Sequence, residues 1–371
     1  MRIGVPKEIK NHEYRVGLTP ASCRELVARG HSVCVEHNAG SGIGFSDQDY
    51  RDAGASIARE ATEIFAEAEL LVKVKEPQPH ECKLLGAGQL LFTYLHLAPD
   101  PEQAKGLLAS GVAAIAYETI TDDHGNLPCL APMSEVAGRL APQAGAHHLE
   151  KAAGGRGVLL GGVPGVSPAE VCVLGGGIVG YNAARIAAGM GASVTVYDRS
   201  PARLRWLDSQ FQGRVICRYA TQSAIDESVR ESDLVIGAVL IPGASAPKLV
   251  RRALLGEMRA GSVLVDVAID QGGCFETSKP TTHQNPTYVV DGIIHYCVAN
   301  MPGAVARTAT LALNNATLPF TLAMADRGLQ ALRDDPHLRN GLNIFRGNVC
   351  HPAVADSLGM TFLPAEKALN G

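Results

Sequence analysis

Arg15, Lys75, His96 and Asp270 lie far apart in the sequence, yet their types suit gripping a small carboxylate and moving a proton. Arg15 follows a polar loop in K-E-I-K-N-H-E-Y-R-V-G-L-T-P, and its planar fork matches a carboxylate. By residue type alone a surface arginine is the better reading. Lys75 ends L-L-V-K-V-K before Glu76-Pro77, where an edge-strand lysine reads as well as a ligand. His96 sits in the apolar run L-L-F-T-Y-L-H-L-A, and a lone histidine in such a run is more often a satisfied core residue. Its place just past a strand nevertheless suits a proton shuttle working near neutrality. Asp270 closes V-L-V-D-V-A-I-D ahead of Gln271-Gly272-Gly273, at the carboxyl end of a parallel strand, where open α/β sheets bind ligands. Asp266 in the same strand reads as a structural hydrogen-bonding group. Asn300-Met301-Pro302-Gly303 forms a shaped loop beyond a last strand, and Met133-Ser134 opens a long helix. His147 and His148 are adjacent, face different sides of a helix, and make a poor metal pair.

A second kind of chemistry lies mid-chain, in V-C-V-L-G-G-G-I-V-G-Y-N-A-A-R-I-A-A-G-M-G-A-S-V-T-V-Y-D from Val171 to Asp198. Gly175, Gly177 and Gly180 have G-x-G-x-x-G spacing directly after the apolar strand Val171–Leu174. The three glycines serve a tight turn, backbone approach to a pyrophosphate, and close helix-on-strand packing. A helix opening at Ile178-Val179 aims its N–H groups at the phosphates. Asp198 closes the next strand where a carboxylate can accept from a ribose 2′-OH, so NAD is the expected cofactor. Arg199 follows directly and leaves room for some use of NADP.

These residues need strands and helices to position them. After Asp198 the pattern continues with strands at Val215–Arg218, Leu234–Val239 and Val263–Val267 and helices near Ala224–Glu231 and Lys248–Met258. Before the fingerprint, strands fit Ile3–Val5, Ser32–Glu36, Leu70–Lys75, Leu90–Thr93 and Ala113–Tyr117. Helices there fit Ala21–Arg29, Asp47–Ala53 and Pro101–Ser110. A long helix is expected over Met133–Ala153, and an Ala/Leu-rich one over Thr308–Leu332, interrupted at Pro319 and packing back on the N-terminal region. The fold class is therefore α/β, with two Rossmann-like doubly wound domains. A dinucleotide-binding domain (129–306) is inserted into a discontinuous substrate domain (1–128 and 307–371), with the substrate expected where the two meet.

Composition sets outer limits. Of the 371 residues, 46% are hydrophobic and 19% charged, which excludes disorder. The net charge of −4, with no basic run, argues against nucleic acid or an acidic membrane surface as a partner. The nine cysteines are odd in number and form no C-x-x-C pair, which fits reduced thiols in a cytoplasm. Met1–Glu13 lacks the apolar core of a signal peptide, and no apolar stretch reaches membrane-spanning length.

The sequence resembles the alanine dehydrogenase family along its whole length. The similarity is carried by M-R-I-G-V-P-K-E-I-K-N-H-E-Y-R-V-G-L-T-P at the start, V-K-V-K-E-P at 72–77, F-T-Y-L-H-L-A at 92–98 and L-G-G-G-I-V-G. It continues in V-D-V-A-I-D-Q-G-G-C-F-E at 265–276 and V-A-N-M-P-G-A-V at 298–305. The resemblance implies reversible oxidation of L-alanine to pyruvate and ammonium with NAD. His96 would be the acid/base and Asp270 its partner in activating water. Arg15 and Lys75 would hold the carboxylate and carbonyl, Tyr94, Leu130 and Met133 would line a methyl pocket, and Asn300 would border the substrate. The nicotinamide and ribose would be approached by Ser134, Val239, Leu240, Val267, Ala268, Ile269 and Asp270, and by Val298, Ala299, Asn300 and Met301. Arg203 would lie near the adenosine. Ala220 would stand near the adenine where a serine is common, and Lys279 where the family has an arginine, both tuning cofactor contacts rather than abolishing them. Some relatives hold a metal through a Glu and His one helical turn apart; Ala323 and Arg327 occupy those positions, so no metal is expected. The family also implies a homohexamer. The rival readings are a transhydrogenase-type NAD(H)-binding subunit, a non-catalytic NAD-binding scaffold, and a saccharopine-type enzyme for bulkier substrates. Retention of Arg15, Lys75 and His96, in a sequence without a membrane segment, favours the dehydrogenase over the first.

Overall fold

The computed structural model describes residues 1–239 and 246–371; Leu240, expected at the cofactor, falls outside them. The chain divides into two compact units, Met1–Met133 with Val305–Gly371, and Ser134–Ala304. The first unit begins with six strands: β1 (Arg2–Val5), β2 (Ser32–Glu36), β3 (Ser56–Ala58), β4 (Leu70–Val72), β5 (Leu90–Thr93) and β6 (Ala113–Ala116). All pair in parallel, in the order β3-β2-β1-β4-β5-β6. Every residue of β4, β5 and β6 is buried, as the unbroken apolar runs of a parallel sheet covered on both faces require.

The second unit repeats the plan. Its strands are β7 (Glu170–Leu174), β8 (Ser193–Asp198), β9 (Ile216–Tyr219), β10 (Leu234–Gly237), β11 (Val263–Asp266), β12 (Thr287–Val290) and β13 (Ile293–Tyr296). They run β9-β8-β7-β10-β11-β13-β12, with only the terminal β12–β13 pair antiparallel. Strand order reverses between β7 and β10 here and between β1 and β4 in the first unit. These are doubly wound sheets with switch points at their centres.

After the second unit the chain returns to the first and adds β14 (Leu342–Phe345) and β15 (Asn348–Val349) antiparallel beside β6. These strands are not legible in the sequence, because the segments are too short for a clear alternation. The short β3 and the β12–β13 hairpin are likewise beyond the expected elements.

Two helices depart from expectation. Pro319 does not interrupt its helix, which runs unbroken over Ala306–Arg327. A proline inside a helix costs about 3 kcal/mol or more, but here nine residues of the helix are buried. Asn314 also ties the helix to the first unit, accepting from Thr19 N–H at 2.8 Å and donating to Gly17 O at 3.1 Å. Packing outweighs the local breaker. Conversely, the helix expected over 248–258 shrinks to Arg252–Leu255. The amides of Leu249 and Val250 instead donate to Cys274 O at 2.7 and 3.4 Å, which holds that stretch extended. The helix after Leu130 spans Ala131–His148 and gives way to a separate 3-10 turn at Lys151–Ala153. Among the described residues no helix is long and apolar enough to cross a membrane.

Candidate active site

In the first unit the candidate residues follow the carboxyl ends of successive central strands. Arg15 lies beyond β1, Lys75 beyond β4, and Tyr94 and His96 beyond β5. Arg15 is no surface arginine, being 2% exposed. Its Nε and Nη2 donate to the two Glu13 oxygens at 2.7 and 2.6 Å, and its Nη1 faces Met133 Sδ at 3.2 Å. Burial alone would lower its pKa, but the hydrogen bonds and charge of Glu13 more than offset that and hold it above the ordinary value. The guanidinium is thus permanently charged and fixed in orientation.

Lys75 is half-buried on the segment that continues β4. Glu8, itself buried, accepts from Val74 N–H at 2.6 Å and Lys75 N–H at 3.3 Å. Between Glu8 and Glu81 lies Lys73, fully buried and within 3.3 and 2.9 Å of their carboxylates. This ion network fixes the backbone from which Lys75 projects.

His96 is not a core residue, since its side chain is 43% exposed. Its φ of +48° turns the chain into the left-handed region, which for a non-glycine residue costs on the order of 1–3 kcal/mol. The Tyr94 ring stacks on the imidazole with centroids 5.6 Å apart and planes 5° from parallel. Burial pushes the Tyr94 phenol well above its usual value, and its hydroxyl donates to Cys129 O at 2.6 Å. The Tyr94 phenol is therefore held neutral, with its proton committed to the Cys129 carbonyl. Leu130 is half-buried and donates its N–H to Leu127 O at 3.0 Å, at the entry to the helix bearing Met133. Glu118, absent from the sequence reading, follows β6 and accepts from Leu95 and His96 N–H. The rule that ligands gather beyond strand ends pointed to it as well.

In the second unit the same edge of the sheet carries the other candidates. Gly175 has φ +101°, and a Cβ at Gly180 would stand 1.7 Å from Gly175 O, so neither position tolerates a side chain. A Cβ at Gly177 would meet nothing, leaving the backbone open at the start of the helix Ile178–Gly189. Asp198 accepts from Gly176 and Ser200 N–H, each at 2.8 Å. Arg203 Nε donates to Gly176 O, and its guanidinium lies 3.9 Å from the Trp206 ring. Ala220 donates its N–H to Asp198 O at 3.0 Å. Ile178 is exposed, while Val179, Val239 and Ser134 are half-buried. Open backbone at a helix N-terminus with a carboxylate at the adjoining strand end fits a dinucleotide, the group that the fold implies.

Beyond β11, Val267 and Ala268 lead into a 3-10 turn, Ile269–Gln271, on which Asp270 is exposed. Asp266 organises that loop, accepting from Ala268 N–H at 3.1 Å and Cys274 N–H at 2.8 Å. Beyond β13, Val298 and Met301 are buried, Ala299 and Asn300 half-buried, and Asn300 has φ +71°. His283 Nε2 lies 2.9 Å from Asn300 O. Lys279 is exposed, its N–H donating to the Tyr288 hydroxyl at 2.7 Å.

Residues 4–137 match the model for the alanine dehydrogenase/PNT N-terminal domain, and residues 141–352 that for the C-terminal domain. The chain belongs to the alanine dehydrogenase/PNT family. A relative named alanine dehydrogenase from Halomonas elongata is 63% identical over 98% of this chain and 99% of its own. A solved L-alanine dehydrogenase structure is 53% identical with TM-score 0.94, covering 97% of this chain and 99% of that one. A transhydrogenase structure from Sinorhizobium meliloti, also similar, is 25% identical with TM-score 0.81, covering 95% of this chain and 100% of that one. Within the alanine dehydrogenase/PNT family, this chain is thus more similar to the dehydrogenases.

Proposed function

We propose that the protein catalyses the reversible, NAD-dependent oxidative deamination of L-alanine to pyruvate and ammonium. The observation that carries this reading is that Arg15, Lys75 and His96 follow the carboxyl ends of central strands in one sheet. The glycine turn and Asp198 do the same in another. The much lower identity to the transhydrogenase structure disfavours that rival.

A bound nicotinamide would supply the hydride chemistry in both directions. The glycine turn and the N-terminus of the helix Ile178–Gly189 would hold its pyrophosphate, and Asp198 its adenosine ribose. Arg15 fixes the alanine carboxylate through its pre-oriented guanidinium, and Lys75 polarises the developing carbonyl. Tyr94, Leu130 and Met133 wall the small methyl pocket. His96 moves the proton to and from the water that adds to the imine, and Asp270 assists that water. The carbinolamine then collapses to release ammonia.

Consumption of NADH that depends on both pyruvate and ammonium tests the assignment. Cofactor binding with no turnover would instead favour a scaffold, and turnover only with bulkier amino acids a saccharopine-type enzyme. The alanine amine must be neutral before hydride departs, so deamination should be fastest at alkaline pH and amination at lower pH. One shared optimum would contradict this scheme. The assembly we propose is a cytoplasmic homohexamer; a monomeric mass by light scattering would refute the hexamer.

A further inference from the structure

We propose that Glu118 is the positioning residue for His96, its carboxylate holding the histidine's backbone in the left-handed turn that presents the imidazole. This rests on the deaminase reading above. Strand β5 ends at Thr93, so Leu95 and His96 must find acceptors for their N–H groups outside the strand ladder. Glu118, two residues past the end of neighbouring β6, supplies them. The His96 N–H donates to its Oε1 at 2.7 Å, and the Leu95 N–H donates to Oε1 at 3.1 Å and Oε2 at 3.3 Å. The Leu95 carbonyl is held from the other side by Gln103 Nε2 at 3.0 Å.

A carboxylate near a histidine invites a different reading, in which it pairs with the ring as in a charge dyad. The distances decide against that reading. His96 Nδ1 lies 3.9 Å from Glu118 Oε1, beyond hydrogen-bond range, whereas the backbone N–H is at 2.7 Å. Glu118 therefore acts on the main chain. Its two adjacent N–H contacts fix the direction in which Cβ of His96 leaves the backbone, and the stacked Tyr94 ring completes the orientation. A left-handed residue without such an acceptor would relax toward ordinary φ values and swing the imidazole away.

The test compares Glu118→Ala and Glu118→Gln in the full-length protein, assayed with NADH, pyruvate and ammonium. Glutamine keeps one acceptor oxygen in the place of Oε1, which takes both amides, and removes the charge together with the longer Oε2 contact to Leu95. Glu118→Ala should lower kcat by about 10–100-fold, because misplacing an acid/base group by ~1 Å has that effect. KM for pyruvate and NADH should stay within about threefold, since the alanine variant leaves the binding groups in place. Glu118→Gln should recover most of the lost turnover. In a His96→Ala background, Glu118→Ala should cost little more, because its effect passes through the imidazole. Amide hydrogen exchange at Leu95 and His96, which needs no turnover, should quicken in Glu118→Ala and not in Glu118→Gln. Near-normal kcat in Glu118→Ala, a glutamine variant as slow as alanine, or an undiminished effect without His96 would each overturn the proposal. A wild-type protein inactive on alanine, with the exchange pattern intact, would overturn the deaminase reading and leave the backbone role standing.

Discussion

Asp198 has both carboxylate oxygens occupied by backbone N–H groups at 2.8 Å, which anchors a negative charge beside the glycine turn. A 2′-phosphate would meet that charge, so Asp198→Ala should raise kcat/KM with NADP relative to NAD by roughly tenfold or more, about 1.4 kcal/mol. Equal cofactor use by the wild type would show that the carboxylate has another role. Arg15 illustrates a neighbouring limit of residue types. Its sequence context fits a surface arginine, and only folding reveals that Glu13, two positions away, is buried with it. Removing one member of a buried pair costs the other its short charged hydrogen bonds, so Glu13→Ala should destabilise the protein by about 3–5 kcal/mol and raise KM for pyruvate. Denaturant unfolding and steady-state kinetics check the two halves of that expectation. His96→Ala should lower kcat by roughly 10²–10⁴-fold, and near-normal turnover would remove it from the mechanism.

Among the elements, the strand–turn–helix at 170–189 makes the firmest demand on sequence. Gly180→Ala forces Cβ against Gly175 O, so NADH binding should weaken by at least about tenfold, about 1.4 kcal/mol, in a fluorescence titration. Unchanged affinity would mean that helix and strand pack differently. This element was fully legible beforehand, because its signal is local: glycine spacing, an apolar strand before and an acid after. The order of the strands comes only from their pairing, whereas the doubly wound class was legible too, through the alternation of strand and helix. Elements that long-range contacts dictate were not. Pro319 argued for a break that the buried helix overrides, and β14 and β15 exist because the open side of β6 needed partners. Glu118 and Glu8 escaped for the same reason, since both act on backbone groups that are distant in sequence.

At the scale of the whole molecule, three partly or fully buried histidines connect acidity to stability. Burial lowers the pKa of His148, His295 and His351 below 6.5, and His295 is wholly buried between Thr277 Oγ1 at 2.7 Å and Ile293 O at 3.0 Å. The unfolded chain binds protons at these sites more readily than the folded one. Stability is therefore complete above the unfolded value and lost as pH falls through about 6.5 toward the lower folded values. Midpoints of urea unfolding should decline from pH 7.5 to 5.5, and His295→Gln should flatten that slope. A slope unchanged in the variant would mean that other groups carry the pH dependence.

The return of the chain to finish the first sheet sets an order of events during synthesis. Strand β6 is made early, but its neighbour β14 leaves the ribosome only after the entire second unit has been made. At 5–20 residues per second the wait is on the order of ten to fifty seconds, long enough for the inserted unit to complete its own sheet. Until then the nascent first unit presents β6 as an unpaired, wholly apolar edge, the kind that pairs wrongly with other chains. The inserted half can thus reach its native form while the half bearing His96 still depends on protection of that edge.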